Sequence, residues 1–318
     1  MITSDRDQFN AKRQLWVQCL DGDDRHSVTR QITRMTWNAA AFRVINEARR
    51  IAPPAKEGGL QLNGLMHSLI DDCFFESQML AIRRLTDSYP ITGDRRGRDV
   101  FSLTSLLRHM EKNAKLMTRS NLLAAEGLEY DYEAVREKER EYHRERMLAG
   151  ERAYFVPRSL DSHGLQTRQE QIDFLAGVVG TQRSPDDSVR PEILSHLRRK
   201  VLGACEEIRV RVDKFVAHAA SPDSRQAEDA DAMRVDLNHI WEAHKAICEV
   251  ANFVDMYLLT GTSHGFLAVP QYDQFAYIDR PLVASGCVAD LRAMWDAYEK
   301  ETGEWGLWGI DELRTEMG

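Results

Sequence analysis

The residues with the clearest chemical potential form one short run, Arg209-Val210-Arg211-Val212-Asp213-Lys214-Phe215-Val216-Ala217-His218. Arg211 and His218 are seven positions apart, about two turns at ~3.6 residues per turn, so the run predicts both on one helical face with Lys214 between them. A guanidinium, an ammonium and an imidazole in a row suit an anionic ligand. The imidazole is the side chain best placed to move protons near neutral pH. The bland alternative is a helix-end network of Asp213, Lys214 and His218, in which a cationic His218 favours the helix macrodipole.

The elements that must carry this run read as long amphipathic helices. Residues 6–20 are expected to form a short helix. A longer one follows from an N-cap at Ser27, with Val28, Ile32, Met35, Ala39, Phe42, Ile45 and Ile51 at three- and four-residue steps. A third is expected from about Leu60 to Asp87, with Leu62, Leu65, Met66, Leu69, Ile70, Cys73, Phe74, Leu80 and Leu85 as a buried stripe. Ser102 is placed to cap a helix with Leu103, Leu106, Leu107 and Met110 inward. The helix bearing Arg211 should begin near Ser188 with Pro191 in its first turn, and another should span about Asp231 to Leu259. Residues 129–152 are dense in balanced charge and predict an exposed helical excursion, whereas 157–170 read as loop. The resulting expectation is an all-α bundle of four to five long helices over 1–260. The excursion and loop occupy 129–170, and an acidic, Trp-containing extension occupies 261–318.

Composition narrows the class. The chain has 318 residues, 43% hydrophobic and 29% charged, with only 19 Gly and 9 Pro, too few turn formers for an all-β fold. No run approaches the ~18 apolar residues of a membrane span, and the polar N-terminus lacks a signal-peptide core. Five scattered cysteines without a CxxC pair suggest reduced thiols. On these grounds a cytoplasmic location without membrane contact is expected. The net charge of −8 is unevenly spread. From Arg83 to Arg119 there are nine basic residues against four acidic ones, from Arg190 to His218 seven against four, and from Glu228 to the end six against seventeen. A basic middle is compatible with an anionic ligand, and equally with helix faces that simply differ in charge.

Other chemistries find little support. A di-metal site in a bundle needs Glu-x-x-His pairs. Asp236-x-x-His239 is a lone near-match, and Glu192 with His196 stands without partners. His67 with Asp71 reads as a helix-surface pair. Gly93-Asp94-Arg95-Arg96-Gly97 lacks the Lys-Ser/Thr ending of a P-loop. No metal and no cofactor are expected.

Asp213-Lys214-Phe215-Val216-Ala217-His218, closing a bundle helix, resembles the HEPN superfamily, whose signature is an Arg, four to six residues, then a His. It is most similar to the abortive-infection, AbiU-type branch. Ile82-Arg83-Arg84-Leu85-Thr86-Asp87 with Phe101-Ser102-Leu103-Thr104-Ser105-Leu106-Leu107 resembles an earlier run in the same proteins. The resemblance covers about 30–260. It implies a homodimer that sets two Arg…His helices around a cleft and, in active members, cuts RNA without metal. Carried over, Arg211 clamps the scissile phosphate, His218 is the general acid/base, Lys214 is an auxiliary cation and Asp213 orients a cation. Arg83 and Arg84 either extend the phosphate-binding surface or, for Arg84 with Asp87, form a local salt bridge. Where active members usually carry a polar residue after the Arg, this chain has Val212, and its Arg-to-His gap is at the upper limit. Two further readings therefore stand beside the ribonuclease. One is a non-catalytic module binding RNA, nucleotide or a protein partner, with Trp295, Trp305 and Trp308 of the acidic extension as a docking surface. The other is a structural subunit.

Overall fold

The computed structural model describes residues 4–52, 63–91, 100–150, 156–179, 182–216, 235–261, 265–266, 269–270, 272–280 and 286–305. The described residues form ten α-helices and no strand, with one isolated bridge pairing Thr118 and Ser188. The helices are α1 (Asp5–Asp21), α2 (Val28–Ile51), α3 (Gly64–Leu85), α4 (Leu103–Lys112), α5 (Arg119–Ala125), α6 (Tyr132–Leu148), α7 (Ser162–Ala176), α8 (Pro191–Arg211), α9 (Leu237–Phe253) and α10 (Val288–Trp305). Two π-helical turns continue α8 and α9, over Val212–Val216 and Val254–Leu259. The all-α bundle expected from periodicity is the observed class. The chain divides into two compact units, Met1–Ala268 and Val269–Gly318. No helix among the described residues is long and apolar enough to cross a membrane.

In the first unit α8 is central and packs against α3, α4 and α9, while α2 lies against α3 and α9. Its buried positions, Leu194, Leu197, Val201, Cys205 and Ile208, recur at three and four residues. That spacing puts one apolar stripe along the axis. Side chains fix where several helices start. Asn63, Ser102, Thr118, Asp131 and Asp161 each accept a hydrogen bond from a backbone N–H of the first turn. Ser27 holds the N-cap position of α2 as expected, but its buried hydroxyl makes no hydrogen bond. Gly177 ends α7 at φ 72°, where a Cβ would stand 2.9 Å from Arg190.

Three sequence expectations are corrected. Residues 157–170 are not loop throughout, since α7 begins at Ser162. Its buried face comprises Leu165, Arg168, Gln169, Ile172 and Leu175, and two polar members hide the apolar period. The α3 stripe is buried only in its second half, at Phe74, Gln78, Met79, Ala81, Ile82 and Leu85. Leu65, Met66 and Leu69 are exposed at 65%, 42% and 56%. Arg119, counted in the basic middle, is fully buried and belongs to an internal ion network. Cys19 and Cys205 are buried, Cys248 is half-buried, and Cys73 and Cys287 are exposed. Burial pushes the thiols of Cys19, Cys205 and Cys248 up to about 12, so they are not nucleophiles near neutral pH.

In the second unit, α10 exposes Val288, Leu291, Met294, Trp295 and Tyr298, each about half accessible. Their spacing of three, three, one and three residues makes one apolar stripe. Trp308 and the side chain of Trp305 lie outside the described residues.

Candidate functional site

The two sequence runs that carry the family resemblance meet in space. At the C-terminal end of α3, the Arg83 Nε donates to Asp213 Oδ1 at 2.8 Å, across a sequence separation of 130 residues. The same guanidinium stands 3.5 Å from Asp87. Arg83 thus bridges the end of its own helix to the π turn after α8. The salt bridge expected between Arg84 and Asp87 is formed by Arg83 instead. Arg83 and Asp87 are four positions apart, a spacing that lets their side chains meet, while Arg84 is exposed on another side of α3.

The second run positions this bridge through its hydroxyls. Ser102, Thr104 and Ser105 all point hydroxyls at the Asp87 carbonyl, and Ser105 also reaches the Tyr89 carbonyl. The Ser102 hydroxyl additionally accepts from the Ser105 N–H as the N-cap of α4. The start of α4 is therefore fastened to the end of α3, and α4 in turn packs on α8. The N-cap at Ser102 is as expected from the sequence, whereas the fastening of the three hydroxyls to the Asp87 carbonyl is seen only in the structure. A carbonyl in want of partners just past a helix end is the physical signal that such hydroxyls answer.

Past Arg211 the chain winds as a π turn, Val212–Val216. Single π turns often sit at functional sites. The wider winding replaces the 3.6-residue geometry assumed between Arg211 and His218, and His218 itself lies outside the described residues. Val212 is fully buried in the core, so this position faces inward. Arg211 lies over the Phe215 ring at 5.1 Å, a cation–π distance. Asp213 is exposed, and Lys214 is partly buried on the same turn. Arg211, Asp213, Lys214 and Arg83 thus share one end of the bundle, with Arg84 on the next position of α3.

Asp213 is about half exposed at 46%, against 27% for Arg83, so solvent screens the pair. Asp213→Ala is expected to change unfolding free energy by less than about 1 kcal/mol in a denaturant titration. A larger loss of RNA binding in that variant then reports on the site. A stability loss well above that figure would show that the bridge is structural.

The acid–histidine pairs singled out in the sequence have other partners. Asp236 caps α9, accepting from the Asn238 and His239 N–H groups, with His239 Nδ1 2.8 Å from its carboxylate. His239 Nε2 lies 2.9 Å from Glu207. Arg49 joins both His67, at 2.8 Å, and Asp71, at 2.7 Å. No group of three or more His, Cys, Asp or Glu able to hold a metal ion occurs among the described residues. A hollow of about 300 Å3 between α2 and α9 has Arg43 over Trp241 at 4.4 Å and His244 near Thr36 at 3.1 Å. Burial, and then the Arg43 charge, hold the His244 pKa below its usual value.

No curated protein and no solved structure matches the chain. The family model HEPN_AbiU2, described as AbiU2, matches residues 30–276, a span that contains both meeting runs and most of the bundle. The chain belongs to the HEPN_AbiU2 family.

Proposed function

We propose that this HEPN-like chain serves bacterial defence as a metal-independent endoribonuclease, working as a homodimer with an Arg…His site on each subunit. The observation that carries this reading is the Arg83–Asp213 bridge, which gathers Arg211, Lys214 and Arg83 at one end of the bundle. In this mechanism Arg211 holds the scissile phosphate and stabilises charge building on it. His218 takes the proton of the ribose 2′-hydroxyl as that oxygen attacks phosphorus, or gives one to the leaving 5′-oxygen. Lys214 adds positive charge, and Asp213 orients Arg83. Exposed Leu65, Met66 and Leu69 on α3 supply apolar surface suited to self-association.

The buried Val212 favours a second reading, a non-catalytic module that binds RNA, nucleotide or a protein partner. There the half-exposed Trp295 and the acidic extension form the docking surface.

The test is incubation of purified protein with total RNA in EDTA. The ribonuclease reading expects cleavage by wild type, about a 100-fold or greater loss in Arg211→Ala, and a loss on the order of 100-fold or more in His218→Ala. Equal cleavage by all three removes these residues from the mechanism. An inactive wild type supports the binding module, and a monomeric mass in solution counts against a shared dimer cleft.

A further inference from the structure

Arg83 and Arg84 are adjacent on α3, and a step of one residue turns about 100° around a helix. While Arg83 faces the π turn, Arg84 lines a cleft of about 580 Å3 between α2 and α3. Its walls are two helical rows. On α2 these are Arg30, Arg34 and Asn38, and on α3 Ser77, Ala81 and Arg84, with Arg25 and His26 added from the segment before α2. Asn38 donates to Ser77 at 3.4 Å, linking the two walls. Four guanidinium groups face one carboxylate here, Asp23, which is 3.9 Å from Arg30 and highly exposed. Arg34 and Arg84 show no carboxylate partner among the described residues, and both are exposed.

Arg30 and Arg34 are i, i+4 neighbours, about 6 Å apart along the axis, where like charges repel. An anion between them turns that repulsion into attraction. A second hollow of about 560 Å3 shares His26, Gln31 and Arg84 with the first and is otherwise lined by Leu15, Asp24, Ile91, Val100 and Phe101. Gln31, which lines both hollows, donates to the carbonyls of His26 and Phe101. An arginine-lined trough beside a largely apolar, aromatic-bearing hollow is the chemistry that holds single-stranded nucleic acid, with phosphates on the cations and a base against the ring.

We propose that the α2–α3 cleft binds a single-stranded RNA segment, with its phosphates on Arg30, Arg34 and Arg84 and a base in the hollow beside Phe101. This deepens the ribonuclease reading by naming where its substrate strand is held, on the flank of α3 next to Arg83. The contacts are to phosphate and base face, so binding tolerates many sequences.

The experiment is fluorescence anisotropy of full-length protein with a short labelled oligoadenylate over a range of salt. Arg30→Ala with Arg34→Ala is expected to weaken binding about tenfold or more and to reduce the log–log salt slope by about 1.4, two phosphates at about 0.7 each. Phe101→Ala is expected to weaken binding with the slope unchanged. Arg136→Ala with Arg140→Ala on α6 serves as a control for general loss of positive charge and should bind as wild type. Circular dichroism melts confirm that each variant is folded. Wild-type affinity and slope in both Arg30→Ala/Arg34→Ala and Arg84→Ala would overturn the proposal, as would polyglutamate competing as well as polyadenylate, which would assign the cleft to an acidic peptide. Failure of the two readings is separable. A wild type that binds through the cleft but never cuts supports the cleft and removes the nuclease. A wild type that cuts, with cleft variants binding and cutting equally, removes the cleft and leaves the nuclease.

Discussion

Replacing Arg119 by alanine is expected to lower unfolding free energy by about 3–5 kcal/mol, the cost of breaking a buried ion pair from one side. The Arg119 side chain is 0% exposed. All five of its N–H donors are used. Nε and Nη2 reach Asp187 at 3.1 and 3.0 Å, Nη2 reaches Asp173 at 2.7 Å, and Nη1 reaches the side chain and carbonyl of Gln169 at 2.6 and 3.2 Å. Its backbone N–H also donates to the Asp187 carbonyl at 2.8 Å. Alanine leaves two largely buried carboxylates facing each other, with Arg183 still on Asp173 at 2.8 Å. Arg119→Met combined with Asp173→Asn and Asp187→Asn removes the charges together and should recover much of the loss. Denaturant titrations measure each variant. A loss below about 1 kcal/mol in Arg119→Ala would show that the network does not hold the α5–α7 region together.

The network also carries an acid dependence. Burial raises the Asp173 carboxyl, but hydrogen bonds from Arg183 and Arg119 outweigh it and hold the pKa below the usual value. A carboxylate with a depressed folded pKa contributes stability above its unfolded pKa of about 3.9. That contribution is lost as pH falls through the folded value.

The second large effect is at Trp16. Trp16→Ala is expected to cost about 3–5 kcal/mol, because the fully buried indole leaves a cavity that rigid helices cannot fill. Its ring meets Phe9 and His109 edge-on, with centroids 6.3 and 6.1 Å apart, and its Nε1 donates to His109 Nδ1 at 2.8 Å. That bond requires an unprotonated Nδ1, so His109 is neutral in the fold. Burial, then the charges of Lys12 and Lys112, lower its pKa, and His244 is lowered in the same direction. For a histidine with a depressed folded pKa, the unfolded chain takes up protons first as pH drops below about 6.5, so stability declines towards the folded value. Unfolding titrations at neutral and mildly acidic pH should show this decline. His109→Gln with His244→Gln should flatten it, and an unchanged slope in that double variant would assign the decline elsewhere.

Much of the architecture was legible in the sequence because it follows from local rules. The recurrence of Leu197, Val201, Cys205 and Ile208 at three- and four-residue steps is an amphipathic helix wherever it is placed, and Pro191 marks its start. The two runs around Arg83 and Asp213 were also visible, as was the basic character of the middle of the chain. α7 was not, because Arg168 and Gln169 occupy its buried face. Their burial makes sense only with partners from far along the chain: Glu126 for Arg168 at 2.8 Å and Arg119 for Gln169. The first half of α3 misled in the opposite sense, since an apolar period states which residues share a face and not whether anything covers it.

The sequence by itself determined the helical class, the apolar period of α8 and the presence of an Arg…His run. Only the tertiary structure decided that Arg83 rather than Arg84 meets Asp87, that Asp213 is its second partner, that Val212 points into the core, and that Arg30, Arg34 and Arg84 line one cleft. The physical reason is range. Helix propensity, capping and periodicity act within about one or two turns, whereas a charge acquires its role from whichever group the packing of distant helices brings within a few ångströms.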